Sequence, residues 1–166
     1  MTILRVLLRK LQEYLLPERS SDGIAEYAEP VDVLLAVHQR ISRLAEQIKS
    51  HAELAPYPQT AEQLRQIAQE KHEIGHRLGR LIETVYGLTP NGSLPPVSGK
   101  NHWQRLIRDL EDQRDVDNVL ARYEFTLIPE VPGIPDFLDR IKILHNRHRK
   151  TLIELIALAD PQASQT

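Results

Sequence analysis

His145 and His148 occupy positions that the spacing of the last long helical segment assigns to core leucines. That stripe reads Ile134, Leu138, Ile141, His145, His148, Leu152, Leu155 and Ala159, a 4-3-4-3 walk that keeps one face of a helix turned inward. Two consecutive core layers are therefore imidazole. A buried imidazole must hydrogen-bond or bind a metal, or it costs the fold free energy, so the pair requires partners from other helices.

Several other polar residues fall at the same level of the chain. In the segment 101–128 the stripe Trp103, Leu106, Leu110 gives way to Glu111-Asp112-Gln113-Arg114-Asp115 and resumes, rotated, with Val116, Leu120, Tyr123 and Leu127. This break predicts a kink, a π-bulge or a polar layer, although a charged run by itself is most often a solvated face. Asp117 keeps the earlier phase, with Leu106, Leu110, Gln113 and Leu120, and is the carboxylate expected to point inward. In the segment 60–87, Lys71 lies mid-stripe between Ala68 and Gly75, with Glu70 at the edge; in 30–54, His38 joins Leu34, Ile41, Ala45, Ile48 and Ala52.

The expected result is a mid-bundle layer of His38, Lys71, Asp117, His145 and His148. In a chain without cysteine, imidazoles and carboxylates from facing helices are the ligand set that iron, manganese or zinc would accept, with His38, Glu70, Asp117, His145 and His148 as the ligands. The competing interpretation starts from Lys71, whose ammonium would repel a cation. A buried Lys71–Asp117 pair, with the histidines completing its hydrogen bonds, accounts for the same residues as a layer that fixes helix register. His51 and His72 fall off the stripe and read as surface residues, and His102 as a loop or cap residue.

Prolines and glycines divide the chain into the elements that must position these groups. Residues 3–16 form a short amphipathic helix with Leu4, Leu7, Leu8, Leu11 and Leu15 on one face, ended by Pro17 through Gly23. A helix over 30–54 starts on a proline; the next, 60–87, starts at the capping box Thr60-Ala61-Glu62-Gln63 and stops at Gly87. Residues 88–100 are too long for a tight turn and long enough to run along a bundle. Helices over 101–128 and 135–159 follow, separated by Pro129, Pro132 and Gly133. The fold expected is all-α: a four-helix bundle with one long crossover plus a short N-terminal amphipathic helix. The division is 1–24 for that helix and its linker, 25–160 for the bundle, and 161–166 for a disordered tail.

The second helix contains Glu73-Ile74-Gly75-His76 within a run that begins Ile67-Ala68-Gln69-Glu70-Lys71-His72. This tetrapeptide and the layout of 30–160 resemble the ferritin-like, rubrerythrin-type bundles. Such proteins carry Glu-x-x-His on two helices and a lone glutamate on each of the others, holding two metal ions. The resemblance implies metal binding and oxidase or oxygenase chemistry. The chain departs from that pattern at His145-Asn146-Arg147-His148, with histidine in the glutamate position, at His38, and in the aspartates of the third helix. Glu73 and His76 also lie on the side of their helix opposite Leu64, Ala68, Gly75, Leu78 and Ile82, which predicts solvent exposure.

Composition narrows the alternatives. The 166 residues are 41 % hydrophobic and 27 % charged, with 21 basic and 23 acidic side chains, so nothing favours a nucleic-acid partner. Arg5, Arg9 and Lys10 interrupt the N-terminal leucines and no small-residue cleavage site follows, so neither a signal peptide nor a membrane span is expected of that segment and a cytoplasmic protein is the expectation. There is no Gly-rich phosphate loop and no Gly-x-Ser-x-Gly elbow. Two function classes remain: a ferritin-like metal-binding bundle, or a non-catalytic helical interaction or assembly module with a structural polar layer. The leucine face of residues 1–16 must be buried, and the Ser20-Ser21-Gly23 linker favours its burial against a second copy or a protein partner.

Overall fold

The computed structural model describes residues 29–91, 95–96 and 99–159. Four helices make up almost all of this: α1 (Pro30–Glu53), α2 (Pro58–Tyr86), α3 (His102–Glu130) and α4 (Ile134–Leu158), with no strand among the described residues. The expected N-terminal helix, its linker and the C-terminal tail lie outside the described residues.

The helix boundaries follow from backbone chemistry. Proline occupies the first turn of α1, α2 and α4, where its fixed φ suits a helix and its missing N–H is no loss. For α2 this overrides the expected capping box: the helix begins at Pro58, so Thr60 is already inside its first turn. Asn101 caps α3 by accepting from the Gln104 backbone N–H at 2.9 Å. Gly87 ends α2 and Gly133 precedes α4, both at positive φ (66° and 84°), where a Cβ would be strained. Helix α3 passes through Pro129 in its last turn, two residues beyond the expected stop, and it is an uninterrupted α-helix across 111–115. Neither a π-bulge nor a second phase is needed, because Asp112 and Gln113 of that run are themselves buried while Asp115 is exposed.

Each helix packs on two neighbours, α1 on α2 and α3, and α4 on α2 and α3. Leu34, Val37, Ile82, Leu127, Ile134 and Leu138 belong to one apolar cluster; Leu44, Ile48, Leu64, Leu106, Leu152 and Leu155 belong to a second. Chain order through the two clusters shows that every neighbouring pair is antiparallel and that each diagonal pair runs the same way. Helices α2 and α3 both run from the second cluster to the first, so 87–101 joins opposite ends of the bundle, as the crossover reading requires. Leu34, Leu64, Leu78 and Leu106 are completely buried, each stabilising the fold by roughly 1.5–3 kcal/mol. No described helix is long and apolar enough to cross a membrane.

Candidate functional site

The two apolar clusters meet at a polar layer. Lys71 of α2 lies between Ala68 and Ile74, Gln113 of α3 between Leu110 and Val116, and the two histidines of α4 between Ile141 and Leu152. Lys71 is entirely buried, and its Nζ donates to Gln113 Oε1 at 2.7 Å. Gln113 Nε2 in turn donates to the His145 carbonyl at 2.8 Å. Burial pushes the Lys71 ammonium down to about 7, although Asp117, Asp109 and Glu70 all pull it back up.

Each histidine is tied to one carboxylate of a neighbouring helix. The His145 Nδ1–H donates to Asp117 Oδ1 on α3, and the His148 Nε2–H donates to Glu70 Oε2 on α2, both at 2.5 Å. A carboxylate only accepts, so these contacts fix the tautomers and leave His145 Nε2 and His148 Nδ1 as lone pairs; both atoms are buried without a partner. Burial, followed by repulsion from Lys71, lowers His145 to about 4 and His148 to about 3, so both rings are neutral near pH 7. For Glu70, burial acts upward but is outweighed by hydrogen bonds from His148, Arg147 and Gln66, and the net shift is downward. Arg147 reaches its other oxygen at 2.7 Å.

A second polar cluster lies where α1 packs on α3. Gln47 Nε2 donates to Asp109 Oδ1 at 2.8 Å and to Asp112 Oδ2 at 3.0 Å, and the His51 ring contacts Asp109 Oδ2 through Nδ1 at 2.8 Å. Arg43 and Arg108 close on Asp112 from the rim, at 3.7 and 3.3 Å. Burial raises the Asp109 carboxyl, against the opposing pull of His51 and Gln47. His51 is thus a core residue and not the surface residue its stripe predicts. Helix α1 has two neighbours and buries two adjoining arcs: His38, Ala45 and Ala52 belong to the expected stripe, whereas Val33, Val37, Leu44, Gln47 and His51 form the other. The i, i+4 pair Gln47 and His51, continuing Leu44, was the available signal; so was the i, i+3 pair Asp109 and Asp112.

The five expected ligands do not form one group. His145 and His148 are adjacent, with ring centroids 6.0 Å apart, and Asp117 and Glu70 each hold one of them. Asp117 is at the edge, its side chain 41 % exposed. His38 is on another face: its Nε2 packs over Gly79, and burial and then His76 lower its basicity. Glu73 and His76 are exposed, as their helical phase requires.

Among the described residues no three of His, Asp and Glu are grouped to hold a metal ion. No family model matches the chain, and neither a curated protein nor a solved structure does. The four-helix layout agrees with a ferritin-like architecture, but the donor set does not fit the two-metal centre that the resemblance implies. In such a centre the carboxylates would themselves be metal ligands. Here Asp117 and Glu70 are occupied by imidazole N–H groups, and a fully buried ammonium lies in the same layer.

Proposed function

We propose that this chain is a non-catalytic helical interaction module: a four-helix body locked in register by its polar layer, with the leucine-faced segment 1–16 as its docking element. The carrying observation is the chain of contacts Lys71–Gln113–His145, closed by Asp117 and by the His148–Glu70 pair. It engages α2, α3 and α4 at once and occupies Asp117 and Glu70, so that of the expected donors in this layer the lone pairs of His145 Nε2 and His148 Nδ1 stay open, in the same layer as the Lys71 ammonium. Sliding any of these helices by one turn, about 5.4 Å, would leave charged groups buried and unpaired, which is how a polar layer selects one register at some cost in stability.

The metal reading and this one differ in a direct measurement. Elemental analysis of untagged protein produced with iron, manganese and zinc available is expected to show no near-stoichiometric transition metal. The variant Lys71→Met/Gln113→Leu/His145→Leu/His148→Leu is expected to remain helical and to unfold at a higher urea concentration than wild type. Stoichiometric metal that disappears in His145→Leu/His148→Leu would replace this reading with a metal-binding one.

A further inference from the structure

Helices α2 and α4 form the most open of the four interfaces. Between them runs a groove of about 250 Å³ with a floor of Ile74, Phe137 and Ile141 and a wall of Ile143 and Leu144. Ile143 is 69 % exposed although it continues this apolar surface. Glu70 and Glu73 rim the groove near mid-bundle, and Arg77 and Arg140 rim it nearer the bundle end.

We propose that residues 3–16 of this chain dock as a helix in the α2–α4 groove of their own bundle. This rests on reading the segment as the docking element, whose resting position it gives, and departs from the expectation that its leucine face is buried only against a second copy or a partner. Chain length favours the same molecule. Helix α1 begins at the bundle end where α2 stops and α4 starts: Val33, Ile82, Val131 and Ile134 share one cluster there. Residues 17–28 can span up to about 40 Å, whereas the groove opens at Phe137, one turn into α4. A segment tethered so close has an effective concentration of roughly millimolar, which a second copy does not match at ordinary protein concentrations.

Charge sets the direction. With residue 16 nearest the tether, the segment runs from mid-bundle toward the end, antiparallel to α4. Glu13 then falls at the level of Arg77 and Arg140, and Arg5 and Arg9 at the level of Glu73, Glu70 being already paired with Arg147. The stripe from Leu4 to Leu15 extends about 16 Å, enough to cover the floor and Ile143.

The chain contains no cysteine, so a pair can be introduced without background. Full-length Leu8→Cys/Ile143→Cys, treated with a short bismaleimide, is expected to give a cross-link within one chain, identified by peptide mapping at monomer mass. Full-length Leu7→Asp/Leu11→Asp is expected to melt at least ~5 °C lower at unchanged monomer mass. Cross-linked dimers would overturn docking within the chain while keeping the segment as a docking element. No cross-link, with Leu7→Asp/Leu11→Asp unchanged in melting and mass, would overturn the inference and the role of residues 1–16 together. Neither outcome depends on metal content, which tests the non-catalytic reading separately.

Discussion

Lys71 and Gln113 join the two diagonal helices α2 and α3 through the centre of the bundle, Nζ to Oε1 at 2.7 Å. The contact offsets part of the cost of a completely buried ammonium without removing it. In Lys71→Met, Gln113 Oε1 loses its donor, a loss of about 1–3 kcal/mol set against the relief of the buried charge. Lys71→Met/Gln113→Leu removes both sides of the problem and is expected to exceed wild type by about 1–4 kcal/mol in urea unfolding at pH 6.

The lysine also gives the fold an alkaline signature. It loses its proton at about 7 when folded and near 10.5 when unfolded, so between these values the unfolded chain binds more protons. Wild-type stability is therefore expected to rise with pH across this window, by on the order of 5 kcal/mol from this group, and to be flat in this respect below pH 7. Subtracting the pH profile of Lys71→Met from that of wild type isolates the effect.

Acid acts through the histidines. His145 and His148 are held neutral to about 4 and about 3, whereas in the unfolded chain they protonate near 6.5. Stability present above pH 6.5 is lost as pH falls toward 4 and 3, because the unfolded state takes up protons first. Thermal melts at pH 7 and pH 5 are expected to show a larger drop for wild type than for His145→Leu/His148→Leu. The variant is tolerated because Asp117 is partly solvated and Glu70 retains Arg147.

Asp109 supports the second cluster. Asp109→Leu strands the buried His51, removes one of the two acceptors of Gln47 Nε2, and is expected to cost about 3–5 kcal/mol in denaturant titration. Replacing Gln47, His51 and Asp109 together by leucine is expected to recover at least half of that. A triple variant no better than the single one would show that the cost comes from overpacking.

Gly75 marks the close approach of α1 and α2. A Cβ there would meet Ser42 Oγ at 3.5 Å and Ile41 Cγ2 at 3.7 Å, ordinary contact distances. Gly75→Ala is expected to stabilise the protein by about 0.5–1 kcal/mol through helix propensity, measured by thermal melting, and Gly75→Leu to destabilise it by forcing the helices apart.

Periodicity and breakers made the four helices legible, and the inward histidines with them. The misplacements share a physical origin: a helix in a bundle touches two neighbours, so its buried arc is wider than one stripe. On α1 a single stripe placed His38 in the layer and His51 at the surface, whereas Leu44, Gln47 and His51 form the arc that meets α3. On α3 the run 111–115 looked like a break because Asp112 and Gln113 are charged or polar, yet both, like Asp109 a turn earlier, are buried against a partner on another helix. Residue type alone does not separate a solvated carboxylate from one held by glutamine and imidazole. Which helices are neighbours decides it, and that follows from the crossover.

The alternation of helix directions has an electrostatic consequence. Each end of the bundle presents two helix N-termini and two C-termini, so the partial charges of about half an elementary unit at those termini cancel in pairs. The dipoles of the four described helices therefore supply little net field along the long axis. The far field of the molecule is set by its exposed arginines, lysines and carboxylates, whose reach is limited to about a Debye length in physiological salt.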